Sequence, residues 1–226
     1  METNESKAHW ETIYQTRQAD EVSWTQKIPA TSLDFIRQAR LPKSARIIDI
    51  GGGDSNLVDF LLDESYQPIS VLDISETALN RAKQRLGEQA DRVEWIVSDI
   101  TACAPVQPVD FWHDRAAFHF LTTSDQISRY MTAVRVGVTP NGYLTIGTFS
   151  ENGPETGSGL PIRRYREQTL TDELARGFRK LRCLTEDPIT PIQTSQNFLF
   201  CSFQRVHQNG YKDHVEEDKK RVRIRA

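Results

Sequence analysis

The sequence predicts an α/β fold: a seven-stranded, mostly parallel sheet with an antiparallel strand at its C-terminal end and helices on both faces. Three observations predict it. Short β-branched runs alternate with helical apolar stripes through the first two thirds of the chain. A glycine turn, Gly51-Gly52-Gly53, joins the first such run to the first of these stripes. The last two runs follow one another across a proline-bearing loop with no helix between them. Strand-helix alternation gives parallel strands with right-handed crossovers, and a helix-less connection gives an antiparallel pair.

The candidate strands are 46–50, 69–73, 93–98, 109–113, 143–149, 179–185 and 197–203. Leu57, Val58, Leu61 and Leu62 share one face of the helix after the glycine turn. Ala78, Leu79, Ala82 and Leu86 form the stripe of the next, with Ser75 as its N-cap and Gly87 as its stop. Ile127, Tyr130, Met131, Val134 and Val138 form a third, ended by Pro140-Asn141-Gly142. In the last strand Phe198 and Phe200 alternate with Leu199, Cys201 and Phe203. Apolar residues on both faces belong to a strand covered on both sides.

With 226 residues and 38% hydrophobic content, the chain has enough apolar mass for one α/β domain with a core. It divides into an N-terminal helical or lid segment (1–43), a main domain (44–205) and a polar tail (206–226) whose acidic cluster precedes a basic one. The Gly- and Pro-rich stretch 150–164 reads either as a mobile lid or as a plain surface loop. A net charge of −3 argues against a nucleic-acid or membrane-surface partner. No run approaches the roughly 20 apolar residues of a membrane span. The acidic start, Met1-Glu2-Thr3-Asn4-Glu5, is unlike a signal peptide, so a cytoplasmic protein is expected. Cys103, Cys183 and Cys201 lack CxxC or CxxH spacing; they read as reduced and buried, with no zinc site and no metal expected.

The run Ile47-Ile48-Asp49-Ile50-Gly51-Gly52-Gly53-Asp54-Ser55 has the form of a nucleotide-binding strand-turn-helix, and Asp73 closes the next strand where a carboxylate can hold ribose hydroxyls. A dinucleotide fingerprint wants a glycine at position 56, which is Asn. Asp49-x-Gly51-x-Gly53-x-Ser55 instead resembles motif I of the class I S-adenosylmethionine (SAM) methyltransferases, with Ser in place of the last Gly. Asp73 matches that family's ribose-binding acid, and Asp99 the acid that contacts the adenine amino group. Ile74 and Ile100 would flank the adenine. Pro140-Asn141-Gly142 stands where the family has Pro-Gly-Gly. The match runs over about residues 44–205. It implies a Rossmann-like fold in the order 3-2-1-4-5-7-6, SAM as cofactor and S-adenosylhomocysteine as product. Asp49 would organise the glycine loop through its backbone N–H groups. Alternatives stay open: Asp73 also suits a helix-capping acid and Asp99 a turn residue.

SAM carries its own activation, so the protein must bind, orient and exclude water. Acceptor residues are sought after strand four. Asp114-Arg115-Ala116-Ala117-Phe118 resembles the Asp-Arg-Gly-Ala-Leu segment of thiopurine and related thiol methyltransferases, whose Arg lies in the active site near SAM and the acceptor. It also resembles the (D/E)-K-G-T-(F/L)-D segment of the seven-strand protein lysine methyltransferases, with Arg115 for the Lys and His119 for the Asp. Trp10, Tyr14 and Trp24 match the W-x-x-x-(W/Y)…(W/F) opening of the thiol group, which folds over SAM and walls the acceptor site. Helix packing is the plainer role for Trp10 and Trp24.

Asp114, Arg115 and His119 are therefore the candidate catalytic residues. Trp10, Tyr14, Trp24, Gly51, Gly52, Gly53, Ser55, Asp73, Ile74, Asp99, Ile100, His113 and Arg115 are the candidate cofactor residues. Arg115 suits either the SAM carboxylate or an anionic acceptor, or else an ion pair with Asp114. His119 also suits a structural histidine. The expected reaction is methyl transfer to a small molecule, thiol-type first, with a protein lysine as the alternative. An NAD(P)-dependent oxidoreductase is disfavoured by Asn56 and by the lack of a Tyr-x-x-x-Lys pair. A non-catalytic SAM-binding scaffold would bind SAM without turnover. Oligomeric state is not legible.

Overall fold

The computed structural model describes residues 3–103, 107–191 and 193–206. All but Val206 of the tail foreseen over 206–226 lies outside them. Two helices open the chain, α1 (Thr3–Thr16) and α2 (Ala30–Gln38). There follow β1 (Ile47–Ile50), α3 (Leu57–Asp63), β2 (Ile69–Asp73), α4 (Glu76–Leu86), β3 (Val93–Val97), β4 (Val109–Arg115), α5 (Ser124–Gly137) and β5 (Val138–Phe149). A small hairpin, β6 (Thr156–Gly157) and β7 (Leu160–Pro161), precedes α6 (Glu167–Leu174), β8 (Phe178–Glu186) and β9 (Phe198–Arg205). The seven-stranded sheet has the order β3-β2-β1-β4-β5-β9-β8. Counting only its own strands, this is 3-2-1-4-5-7-6. β9 pairs antiparallel with both β5 and β8.

The two faces of the sheet are covered by different helices. Ile47, Ile69, Val71, Val93 and Phe111 pack against Leu33 and Ile36 of α2, the α3 stripe and Leu79 of α4. Ile48, Ile50, Trp112, Leu144, Ile146 and Leu199 pack on the other side, with Ile127, Tyr130, Met131 and Val134 of α5 and with α6. The helix starts follow local chemistry. Ser75 Oγ accepts from Ala78 N–H, while Thr123 and Gln126 form a reciprocal capping box at α5.

Three expectations are corrected. Val138 does not continue the third helix; it opens β5 and pairs with Val109. Pro140-Asn141-Gly142 then loops out before Tyr143 pairs with Phe111, with Asn141 at φ +63°. A proline without an N–H is tolerated at such an irregularity. Second, β4 runs to Arg115 rather than ending at 113. Third, Cys183 and Cys201 are not reduced but form a disulfide, because the β8–β9 register sets them directly opposite one another. Cys103 is the free thiol, partly buried.

The extra length of β4 decides the fate of Asp114. Side chains alternate along a strand, so Trp112 and Asp114 face α5 while Phe111, His113 and Arg115 face α2. Asp114 is fully buried and accepts from Tyr130 Oη (2.7 Å), Phe118 N–H (3.1 Å) and Ala117 N–H (3.2 Å). Trp112 Nε1–H donates to the Tyr130 hydroxyl in turn (3.1 Å). Replacing Tyr130 with Phe removes a donor from this buried carboxyl group. We expect a loss of about 1–3 kcal/mol in urea unfolding. An unchanged unfolding midpoint would show that Asp114 does not depend on the tyrosine.

Candidate functional site

The site lies where the sheet reverses its winding, at the C-terminal ends of β1 and β4, as open α/β sheets dictate. Gly51 (φ +63°) and Gly53 (φ +49°) carry the turn after β1 in the left-handed region, which glycine adopts without strain. A Cβ on Gly51 would also stand 2.5 Å from Ala117 Cβ, and one on Gly53 2.5 Å from the Tyr14 hydroxyl. Arg85 of α4 clamps the loop from outside, donating to the Asp54 and Ser55 carbonyls at 2.8 Å each.

One continuous cavity runs from this loop to the hairpin. Its walls include Gly51, Gly52, Ser55, Asp73, Ile74, Asp99 and Ile100 at one end. Trp10, Tyr14, Trp24, His113, Arg115 and His119 belong to the same cavity. Of the candidate residues only Gly53 and Asp114 do not line it. Gly53 contributes a backbone hydrogen bond to Asp73. Asp114 is corrected: its position on the opposite pleat leaves it a structural acid.

Asp73 is the most telling group. Its carboxylate accepts from Ser75 N–H at 2.8 Å and is held by Gly53, yet no cation pairs with it among the described residues. Burial, reinforced by Asp49 and Asp54, pushes it up to about 7. Such a group fits a ligand that brings two hydroxyl donors. Asp99 Oδ1 holds Thr101 through both its N–H and its hydroxyl, at 2.8 Å each, with Ile100 beside it. Asp49 does not organise the loop as expected. Gly51 and Gly52 N–H donate to the Leu72 carbonyl instead (2.7 and 3.2 Å), while Asp49 Oδ1 bonds to His113 Nδ1 (2.7 Å).

The N-terminal segment forms the roof. Glu11 accepts from the free N–H groups of Glu76 and Thr77 at the start of α4 (2.7 and 3.3 Å), a favourable place for an acid. The Trp10 ring meets Trp24 at 5.8 Å and Phe120 at 5.0 Å. Arg115 donates to the Trp24 carbonyl (2.8 Å) and lies over the Phe198 ring, 5.1 Å from its centroid. Its Nε–H has no partner, and burial pulls its guanidinium down to about 10, still charged at neutral pH. The proposed ion pair with Asp114 does not form.

His119 stacks on Phe149 at 4.4 Å, and its Nδ1 accepts from Phe149 N–H at 3.3 Å. Burial and the Arg115 charge press it down to about 3. The ring is therefore neutral, carries its proton on Nε2 and can donate to a ligand rather than act as a base. Gly157 and Ser158 of the 150–164 stretch also reach the cavity. Sequence reasoning missed Ser32, Phe120, Phe149 and Phe198 at this site. Only the alternation of the last strand carried a signal for Phe198.

The family model described as a methyltransferase domain matches residues 48–144, which include the glycine turn, Asp73 and Asp99. The fold recurs widely. A SAM-dependent methyltransferase from Anabaena variabilis superposes with a TM-score of 0.71 at 12% identity, over 90% of this chain and 94% of its own. The 1,6-didemethyltoxoflavin-N1-methyltransferase of Burkholderia thailandensis, with its substrate and S-adenosylhomocysteine bound, gives 0.66 at 17%, over 92% of each chain. A structure from work on the conversion of a disulfide bond into a thioacetal group during echinomycin biosynthesis gives 0.70 at 16%, over 95% of this chain and 99% of its own. Residues 48–144 thus match a methyltransferase domain, and the chain has the fold shared by these SAM-dependent methyltransferases. Among the described residues no helix is long and apolar enough to cross a membrane.

The Asp73 carboxyl gives two signed predictions. Hydroxyl donors favour its ionised form, so affinity for a ligand that brings them, with SAM as the probe, should rise with pH through 7, by about tenfold from pH 6 to pH 8. Calorimetry across that range checks this, and Asp73→Asn should bind weakly with a flat profile. A folded value raised above the unfolded one means the folded state holds the extra proton. The carboxyl's burial therefore lowers stability as pH rises from about 4 to 7. At pH 8 the ligand-free Asp73→Asn variant should melt above the parent, by about 1–4 kcal/mol of stability. A lower melting temperature would refute that.

Proposed function

We propose that this enzyme transfers the SAM methyl group to a small-molecule nucleophile, with a thiol as the first candidate, and releases S-adenosylhomocysteine. Asp73, Asp99, Ile74, Ile100 and the glycine turn would hold the cofactor. The observation that carries the acceptor reading is Arg115, a partly buried guanidinium whose buried Nε–H has no partner and which has no carboxylate within ion-pair distance among the described residues. It stands in a wall of Trp10, Trp24, Phe120, Phe149 and Phe198. A cation in an apolar enclosure favours an anionic ligand atom, and an aromatic wall favours a small, polarisable one. A soft nucleophile meets both conditions. Neutral His119 adds a donor and no direct base.

Two of the similar structures are consistent with this choice, one through its heterocyclic ligand and one through sulfur chemistry. The protein lysine alternative calls for an open acidic groove. The enclosure formed by the N-terminal segment favours the small acceptor instead.

The test is S-adenosylhomocysteine release with a panel of small thiols, run beside a protein extract. Turnover with a thiol is expected. Label retained on protein, with no small-molecule turnover, would transfer the assignment to a protein acceptor. Arg115→Ala should lower kcat/KM for the acceptor by about 10- to 100-fold. If it weakens only SAM binding, Arg115 belongs to the cofactor.

A further inference from the structure

On the same pleat of β4 as Arg115 lies a buried hydrogen-bonded chain. Ser32 Oγ is 2.9 Å from His113 Nε2, and His113 Nδ1 is 2.7 Å from Asp49 Oδ1. The three come from separate elements, α2, β4 and β1, and each lines the cavity. All three are almost fully buried. An Asp49 carboxylate can only accept, so it takes the Nδ1–H and leaves the Nε2 lone pair for the Ser32 hydroxyl. Hydroxyl, imidazole and carboxylate in this sequence form an arrangement that takes up a proton at the hydroxyl end and stabilises it as an imidazolium.

Three other ionisable groups of the cavity are committed elsewhere. His119 uses Nδ1 to hold Phe149 N–H. Tyr14 is pushed well above its usual range by burial beside Asp73 and Asp54. Asp54 faces Arg81 at 3.6 Å. Around His113 itself stand Asp49 from β1, Ser32 from α2 and Thr145 from β5, with Arg115 further along its own strand. Asp114, on the opposite pleat of β4, carries a further charge that interacts with His113.

We propose that Ser32, His113 and Asp49 form the proton relay that ionises a protic acceptor for methyl transfer. The inference rests on the thiol reading above. A thiol with a pKa of about 8.5 is mostly protonated at pH 7. The S–H proton passes to Ser32 Oγ as the Ser32 proton passes to His113 Nε2. The products are a thiolate beside Arg115 and an imidazolium whose Nδ1–H is held by Asp49. The thiolate sulfur forms its bond to the methyl carbon, the carbon–sulfonium bond breaks and its electron pair stays on the departing thioether. The imidazolium later returns its proton to solvent, so atoms and charge balance without an added reagent. Ser32 is the group that contacts the acceptor; His113 and Asp49 act through it as positioning residues.

The experiment has two readouts, made on the parent, Ser32→Ala and His113→Gln. The first needs no methyl donor: ultraviolet absorbance of the thiolate when a small alkyl thiol is added to the protein with S-adenosylhomocysteine at pH 7. The parent should generate bound thiolate and the variants should not. The second is the pH profile of kcat with SAM. The variants should lose about 30-fold at pH 7, the ratio of total thiol to thiolate for a pKa of about 8.5. That loss should shrink toward unity above the thiol's own ionisation. Ser32→Ala, which removes one oxygen, guards against misfolding of the histidine variant. A loss independent of pH, or thiolate formation unchanged in both variants, would make the chain a structural tie and overturn the proposal. If the parent releases no S-adenosylhomocysteine from any thiol yet does with another acceptor, the thiol reading has failed instead.

Discussion

The pairing of β1 with β4 is the contact on which the site depends. Strand order runs outward from β1 in both directions, to β2 on one side and to β4 on the other. Crossover segments therefore leave the C-terminal edge toward opposite faces, and a crevice opens between them. The parallel register sets Asp49 beside His113 and Ile50 beside Asp114. Paired residues of a parallel ladder point to the same face, so Asp49, His113 and Arg115 look toward the segment that carries Ser32 and the tryptophans. Asp114, one residue away, looks into the α5 core. A shift of one residue in this ladder would exchange every role.

This ladder also separates what could be read from the sequence from what could not. The glycine turn, Asp73 and Ser75 are local: each is specified by neighbours within a few residues, so backbone chemistry alone points to them. The α3 and α4 stripes are legible for the same reason. The orientation of Asp114 depends on where β4 ends, and strand ends are set by the neighbouring strand rather than by the strand itself. Val138 fits the helical period of α5 as well as it fits a strand. Its pairing with Val109 decides the matter. Cys183 and Cys201 face each other only through the β8–β9 register. Ser32 lies on an amphipathic helix without a motif and acquires a role only when α2 packs over His113.

Electrostatically the cavity is unfinished at two points. Asp73 is a buried acid held by N–H groups alone, and Arg115 is a partly buried cation held by a carbonyl and a ring face. Burying a charge without a counter-charge is unfavourable, and the rest of the fold must outweigh it. A ligand with hydroxyl donors at one end and negative charge at the other relieves both. The Asp114–Tyr130–Trp112 chain behaves differently. It is satisfied within the protein and anchors the turn after β4 to α5.

That turn contains the last piece of the argument. Ala116 sits at φ +67°, where a side chain is strained by roughly 1–2 kcal/mol and glycine is not. The segment it resembles has Gly at this position. Its neighbours explain how the strain persists. The Asp114 carboxyl group binds Ala117 and Phe118 N–H, and Ala116 N–H donates to the Gly147 carbonyl (2.9 Å). The Ala116 methyl packs on the phenylalanine cluster of Phe35, Phe149, Phe198 and Phe200. Bonds on both sides of Ala116 thus hold the chain in a left-handed conformation directly after Arg115. Strain held in this way at a ligand-facing residue is a mark of pre-organisation. Arg115 leaves the sheet in one direction, and the acid on the far pleat helps to keep it there.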